Sequence, residues 1–142
     1  MGVIFLLYSC TEPDNSQVED TELQFVDQKW ELVRMTGSMV NSTTIGADME
    51  WQEYYMFTPD GTFQKIRTRT GVISKATGSF EVTEYENDNE DYLELTYTEG
   101  LELIGNCSGN QKEVLIYRSA TEFSNTWMTC DGPGLDYVLI ED

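Results

Sequence analysis

The stretch that decides the fold is EYYMFTPDGTFQKIRTRT, residues 53–70. Pro59, Asp60 and Gly61 are a turn signal, because proline fixes φ, aspartate bonds its own backbone and glycine tolerates positive φ. The residues on both sides are rich in aromatic and β-branched side chains and alternate in polarity, as strands do. The stretch therefore predicts two antiparallel strands joined by a tight turn.

The same alternation with a period of two continues outward from this hairpin in both directions. Further strands are indicated by the runs KWELVRM (29–35), TGSFEVTE (77–84), YLELTY (92–97), EVLIY (113–117), EFSNTWMT (122–129) and LDYVLIE (135–141). Short strands at regular spacing, without long crossovers, predict an all-β fold. We expect an antiparallel up-and-down meander that closes into an eight-stranded barrel over residues 26–142, with a β-sandwich as the alternative.

The N-terminal segment has a different character from the predicted barrel. An apolar run over residues 3–8 ends at Ser9 and Cys10, and a polar, acidic stretch follows up to residue 25. The apolar run is typical of a secretory signal, and the polar stretch is typical of a disordered tether. We interpret residues 1–9 as a truncated signal peptide and residues 10–25 as a flexible tether; the alternative for the run is a fragment of a core strand.

Leu7-Tyr8-Ser9-Cys10 resembles the bacterial lipobox, in which a leucine lies three positions before the cysteine. With the strand KWELV, the hairpin YYMFTPDGTF, the strand GSFEV and the closing strand LDYVLIE, the whole chain resembles the lipocalin-like lipoproteins of Bacteroidota. The resemblance implies a lipocalin-like barrel whose Cys10 thiol carries a diacylglycerol. It also implies a location in the cell envelope, as an outer-membrane lipoprotein held to the membrane by this anchor.

Charge and composition exclude several function classes. The chain has 26 acidic and 8 basic residues, no histidine and a net charge of -18. Nucleic acids bind through Lys and Arg, so no nucleic-acid partner is expected. Without histidine, Ser-His and Cys-His nucleophile pairs and the usual zinc sites cannot form. We therefore expect no enzyme activity, with catalysis by carboxylates alone as the alternative, and no cofactor or metal site.

The densest acidic stretch is residues 81–94, which offer oxygen ligands of the kind that calcium prefers. The spacing of its acids differs from that of a calcium-binding loop, and no glycine follows the acidic run. We interpret the loop over residues 84–91 as a solvated connection between two strands, with calcium binding as the alternative.

The three cysteines separate into Cys10, the candidate for lipidation, and the pair Cys107 and Cys130. If Cys10 carries lipid, Cys107 and Cys130 remain as an even pair, and beyond the cytoplasm such a pair oxidises and persists. Cys107 lies in the loop IGNCSGN, and Cys130 lies where a predicted strand ends. We predict a disulfide between them, with two free thiols as the alternative.

Lys65, Arg67 and Arg69 alternate along one predicted strand, so they share one of its faces. If Ile66 points inward, this basic ladder lies outside and balances acids on neighbouring strands. If Phe63 points inward, the ladder enters the barrel, and Arg34 joins it from the first strand. Buried cations need anions, so the inward arrangement requires a wet lumen or a bound anion.

Two function classes follow from this pattern. The first is an anchored module whose barrel binds a small hydrophobic or anionic amphipathic ligand. Its candidate ligand-binding residues are Arg34, Tyr55, Arg67, Tyr97 and Trp127. The second is a structural, interaction or inhibitor-like module with a filled core. Its partner would meet an exposed apolar patch or a protruding loop such as the 36–50 connection.

Overall fold

A computed structural model describes residues 27–37, 39, 41–84, 90–130 and 132–140. These ranges hold nine strands: β1 Gln28–Thr36, β2 Thr43–Ile45, β3 Gln52–Phe57, β4 Thr62–Arg69, β5 Val72–Glu84, β6 Asp91–Glu99, β7 Lys112–Ser119, β8 Glu122–Asn125 and β9 Gly134–Ile140. Three short 3₁₀ helices lie at Gly46–Asp48, Leu101–Leu103 and Trp127–Cys130. In the part of the chain that the structure describes, no helix is long and apolar enough to span a membrane.

The strands form one antiparallel sheet that closes on itself. Strands β3 to β9 pair in chain order, β1 pairs with β3, and a second pairing between β1 and β9 completes the ring. Strand β2 is an extra short strand beside the end of β1. The predicted eight-stranded antiparallel barrel is therefore confirmed, and its architecture is consistent with a lipocalin-like fold.

The hairpin predicted over residues 53–70 joins β3 to β4. Phe57 faces Phe63 across the pair, and the Thr58 amide donates to the Thr62 carbonyl at 2.9 Å. Gly61 has φ +91°, which suits glycine, and the Asp60 carboxylate accepts bonds from the Thr58 and Thr62 side chains. These hydrogen bonds, from Thr62 first and then Thr58, lower the pKa of Asp60.

A bulge in β1 changes which of its side chains enter the barrel. Leu32 pairs with Tyr137 and Arg34 pairs with Asp136, so Val33 is an extra residue between two ladder positions. An extra residue reverses the inward and outward faces of the strand beyond it. Met35 is therefore buried, and Arg34 lies outside the barrel.

A second irregularity lies at Gly78 in β5, where the register to β6 shifts. A Cβ atom at this position would lie 2.0 Å from the Thr96 carbonyl oxygen and 2.8 Å from a ring carbon of Phe63. Only glycine fits such a close approach. The glycine thus lets Phe63 pack against the β5 backbone inside the barrel.

The two ends of the barrel carry different connections. At the near end, β1 begins and the β3–β4 and β7–β8 hairpins turn back. The opposite end, called the far rim below, consists of the described residues of segments 37–50, 70–71, 100–111 and 126–133. Two of these segments, 100–111 and 126–133, are linked by Cys107 and Cys130, whose Cα atoms are 5.7 Å apart in a disulfide. The predicted pairing of these cysteines is confirmed.

The near half of the barrel interior, called the aromatic half below, is filled by packed rings. Trp30 stacks on Phe123 with ring centroids 4.3 Å apart, and Phe57 meets Phe80 edge-on at 4.9 Å. Such ring pairs add about 0.5–1.5 kcal/mol each to the area they bury. The apolar core thus lies next to the end at which β1 begins.

Candidate functional site

The far half of the interior, called the charged half below, contains the basic ladder. Phe63 is 1% exposed and Lys65 is 0% exposed, whereas Ile66 lies on the outer face. The second of the two predicted registers is therefore the one adopted. Lys65 and Arg67 point inward, and Arg69 continues the same face to the far rim.

Glu113 on β7 is the main acceptor for this buried charge. Its carboxylate accepts hydrogen bonds from the Tyr55 hydroxyl at 2.6 Å, from the Tyr97 hydroxyl and from the Gly105 amide at 2.7 Å. Lys65 Nζ lies 3.1 Å from the same carboxylate, and Asn125 Nδ2 lies 3.1 Å from it. Glu113 is therefore fully hydrogen-bonded although its side chain is 0% exposed.

Glu53 on β3 is the second buried carboxylate. Arg67 Nε donates to it at 2.6 Å, and the Tyr137 hydroxyl donates to its other oxygen. Lys65 Nζ lies 3.8 Å from Glu53 and also donates to the Leu103 carbonyl at 2.7 Å. Lys65 and Arg67 are thus balanced by Glu53 and Glu113, and the cluster of four charges is internally neutral.

The inward register was expected to require a wet lumen or a bound anion, and the carboxylates of Glu53 and Glu113 supply the negative charge instead. Removing an ion from water costs several kcal/mol, and this cost is recovered only by close pairing and complete hydrogen bonding. Both conditions hold here. Sequence reasoning missed Glu53 and Glu113, although each alternates in step with a buried neighbour on its strand, Tyr55 or Leu115.

The tyrosines of the charged half are held in the neutral state. Burial is the largest cause of the strongly raised pKa values of Tyr55, Tyr97 and Tyr137. The negative charges of Glu113 and Glu53 raise these pKa values further. Each hydroxyl therefore remains a donor to a carboxylate well above the pH at which an exposed tyrosine ionises.

One part of the charged half has donors without acceptors. The Arg67 guanidinium lies 4.2 Å from the centre of the Trp51 ring, and Arg69 covers the same ring at 5.2 Å. Trp51 Nε1 and Arg67 Nη2 are buried and bond to no other described atom. Buried N–H groups without a partner are rare, and a water molecule or a ligand oxygen is the kind of acceptor that satisfies them.

The predicted ligand-binding residues separate into three groups. Tyr55, Arg67 and Tyr97 converge in the charged half, where their polar atoms bond Glu53 or Glu113. Trp127 lies at the far rim, where its ring packs closely against Gly105 and Gly132. A Cβ atom added to these glycines would lie 2.5 Å and 2.3 Å from the ring. The prediction that Arg34 joins the inward ladder is wrong, because of the Val33 bulge.

Arg34 instead pairs with Asp136 on the outer surface. Its Nε lies 2.8 Å from Asp136 Oδ2, and its side chain is 47% exposed. Asp136 also accepts a bond from Ser124 at 2.6 Å. Arg34 thus joins the outer faces of neighbouring strands and does not reach the interior.

Depressions of the molecular surface lie apart from the predicted ligand-binding residues. One of about 450 Å³ is lined by residues that include Tyr117 and Arg118, and one of about 530 Å³ is lined by residues that include Leu101 and Asn106. Neither is lined by the five predicted residues. Glu53 and Glu113 are enclosed, so the geometry gives these two carboxylates a stabilising role and no contact with solvent.

Two predicted features fall on residues that the structure leaves out. Cys10 and the segment 1–26 lie outside the described residues, as do residues 85–89 of the acidic loop. The lipid anchor and calcium binding therefore stay predictions. Within the described ranges, no three Cys, Asp or Glu side chains converge as ligands of one metal ion.

The chain was compared with models of protein families, with curated proteins and with solved structures, and none of them matches.

Proposed function

We propose that the protein is an extracytoplasmic lipoprotein, anchored through Cys10, whose lipocalin-like barrel is a binding module that meets its partner at the far rim and not in the lumen. The filled interior carries this proposal. Large side chains from most of the strands meet inside and are at most 1% exposed: Tyr55, Phe63, Leu95, Tyr97, Leu115, Phe123 and Tyr137. A pocket for a small hydrophobic ligand needs a volume of about 300 Å³ or more, which these side chains occupy.

Two observations support the extracytoplasmic, anchored part of the proposal. The disulfide between Cys107 and Cys130 suits an oxidising compartment. The lipobox-like residues Leu7-Tyr8-Ser9-Cys10 supply a thiol for lipid, and the acidic stretch after them supplies a tether. Two or more acyl chains on such a cysteine give stable membrane attachment.

Fractionation of a bacterial host tests the anchor. The full chain, expressed behind a complete lipoprotein signal, is expected in the membrane fraction, and Cys10→Ser is expected in the soluble fraction. Cys107→Ser is the matched control, since it removes a cysteine but leaves the lipid site intact. Membrane retention of Cys10→Ser equal to that of the control would reject the anchor.

Native mass spectrometry of the purified barrel tests the filled lumen. We expect the mass of the bare polypeptide with one disulfide, because no space remains inside for a lipid. A retained fatty acid or lipid of defined mass would overturn the proposal that the lumen is not the binding site.

A second candidate function is the binding of a small hydrophobic or anionic amphipathic ligand at the charged half. The free donors Trp51 Nε1 and Arg67 Nη2 favour it. Because Glu53 already balances Arg67, the ligand is needed there for its oxygen acceptor and not for its charge.

Titration with a fatty acid and with its methyl ester, followed by tryptophan fluorescence, tests this candidate. Both probes are expected to bind, and Trp51→Phe is expected to weaken both, because the two share a carbonyl oxygen. Trp127→Phe is the matched control at the far rim. Equal responses of the two variants would exclude the site beside Trp51.

A further inference from the structure

Exposed apolar side chains concentrate at the far rim of the barrel. Among the described residues, eight large hydrophobic side chains are exposed, and only Val82 and Ile140 lie toward the near end. The other six lie in the far-rim segments or directly beside them: Met39, Ile45, Val72, Ile73, Leu101 and Met128. Soluble proteins expose single apolar side chains everywhere, but a concentration at one end indicates a contact surface.

The six side chains form two groups on opposite parts of the rim. A Cβ on Gly134 would lie 3.3 Å from Met128 Sδ and 3.4 Å from Thr36 Cβ, so Met128 packs at the end of β1. Strand β2, which ends at Ile45, pairs with that same end of β1. Met39 lies in the connection between β1 and β2. These three residues therefore belong to one corner of the rim.

The second group lies at the start of β5. A Cβ on Gly100 would lie 2.5 Å from the Lys75 carbonyl oxygen, so the segment that carries Leu101 packs against β5. Val72 and Ile73 are the first residues of that strand. The apolar side chains thus flank the far rim on two sides.

Among the described residues at and beside the far rim, the unpaired charges are three acids and one lysine, Lys75, because the other exposed basic side chains there form ion pairs with acids. Asp48, Glu99 and Glu102 are exposed at or beside the far rim and pair with no basic side chain among the described residues. The whole chain carries a net charge of -18. A second copy or an anionic membrane would bring like charge to this surface, which opposes association.

We propose that the far rim docks a basic protein segment that places apolar side chains on the two groups and lysines or arginines beside the acids. This inference rests on the proposed function and adds the chemistry of the partner. Strand β1 begins at the near end of the barrel, which is the end opposite this surface.

Fluorescence anisotropy with a labelled amphipathic peptide of leucine and lysine tests the proposal on the full barrel. A lysine–serine peptide of equal length and charge measures attraction by charge alone. We expect the leucine–lysine peptide to bind at least about tenfold more tightly at moderate salt, since each buried large apolar side chain contributes about one to two powers of ten. Equal binding of the two peptides would overturn the proposal.

Val72→Ser and Val82→Ser form a matched pair for locating the contact. Both are valines of β5, they are 62% and 61% exposed, and they lie toward opposite ends of the barrel. We expect Val72→Ser to weaken the leucine–lysine peptide several-fold and Val82→Ser to leave its affinity unchanged. Equal effects of both substitutions would overturn the assignment to the far rim.

Two further measurements decide between occupants. Sedimentation equilibrium is expected to show a monomer, and vesicles of phosphatidylcholine are expected not to bind. If the protein is a dimer and Val72→Ser is a monomer, the occupant of the far rim is a second copy and not a basic partner. If vesicles bind the protein but not Val72→Ser, the occupant is a membrane. Neither result would contradict the proposal that the lumen is filled, because native mass spectrometry tests that proposal independently.

Discussion

The aromatic half and the charged half fill the same barrel with opposite chemistry. In the aromatic half, the Phe123 ring contacts both Trp30 and Phe57, and any apolar side chain of similar volume would bury a similar area. In the charged half, each polar atom of Glu113 has specific partners at fixed distances. Alternation along the strands of a barrel thus specifies which side chains point into the interior. The chemistry of those side chains decides which substitutions the interior tolerates.

The two halves differ in how well they tolerate substitution. In apolar packing, the loss of unfolding free energy grows with the side-chain volume that is removed. In a buried charge cluster, a single substitution causes a large loss of unfolding free energy, because the remaining charges are left unpaired in surroundings that solvate them poorly. We therefore expect the charged half to determine whether the barrel folds and the aromatic half to determine how stable it is.

The largest effect is expected from Glu113→Ala. The substitution removes the acceptor of two tyrosine hydroxyls. It leaves Lys65 with the Leu103 carbonyl and with one carboxylate, Glu53, at 3.8 Å. We predict a loss of about 5 kcal/mol in the free energy of unfolding, measured by urea denaturation. If Glu113→Ala does not fold, Glu113→Gln retains an acceptor and is expected to fold with a smaller loss.

Glu94→Ala is the matched control for this prediction. Glu94 pairs with Lys112 at 3.2 Å on the outer surface, where both side chains are partly exposed. Exposed ion pairs contribute less than about 1 kcal/mol. Equal losses for Glu113→Ala and Glu94→Ala would contradict the special role of the charged half.

Alkaline pH is expected to produce the next largest effect. Tyr55, Tyr97 and Tyr137 have raised pKa values in the folded barrel, whereas an unfolded tyrosine ionises near about pH 10. Their contribution is fully present below that pH and is lost as the pH rises above it, because the unfolded chain releases protons that the folded chain keeps. The free energy of unfolding is therefore expected to be lower at about pH 11 than at about pH 9.

Near-ultraviolet absorbance of tyrosinate measures this directly. These three tyrosines are expected to ionise only as the barrel unfolds, in step with the loss of circular dichroism. A solvent-exposed tyrosine analogue added to the same cell gives the reference titration. Ionisation of all tyrosines before any unfolding would show that the charged half is open to solvent.

A smaller and graded effect is expected in the aromatic half. Phe123→Ala removes a ring that contacts Trp30, Tyr55 and Phe57, and we predict a loss of about 3 kcal/mol. Phe123→Leu retains part of the volume and is expected to lose less than half as much. Equal losses for alanine and leucine would show that a ring-specific contact, and not volume, governs this half.

The smallest effect is expected from Arg34→Gln. Because the Val33 bulge sends Arg34 to the surface, its ion pair with Asp136 is exposed and is expected to contribute less than about 1 kcal/mol. Urea denaturation at low and high salt checks this, since an exposed pair weakens with salt. A loss of unfolding free energy as large as that of Phe123→Ala would indicate that Arg34 lies in the interior.

The sequence was sufficient for the barrel and for the hairpin at its start. Alternation over many short runs, with Pro59, Asp60 and Gly61 at the turn, depends on local backbone preferences that a sequence displays directly. The disulfide pair could also be predicted, because the two cysteines that remain beside Cys10 form an even set.

The direction of the basic ladder could not be predicted, because both registers bury an apolar residue. Ile66 inward satisfies the pattern as well as Phe63 inward does. Glu53 faces Arg67 across the hairpin in either case, and the other partner, Glu113, lies 48 residues from Lys65 in sequence. The Val33 bulge also leaves no signal in residue type, so Arg34 was assigned to the wrong face. Long-range pairing of charges and one-residue register shifts are properties of the assembled barrel.

The inward position of Lys65 is the centre of this account, and amine labelling followed by peptide mass spectrometry tests it most directly. The chain has lysines at positions 29, 65, 75 and 112. In the folded protein we predict that an acetylating reagent modifies Lys29, Lys75 and Lys112 but leaves Lys65 unmodified, and that all four react in denaturant. Labelling of Lys65 in the folded barrel at the rate of Lys75 would place the basic ladder outside and contradict the account.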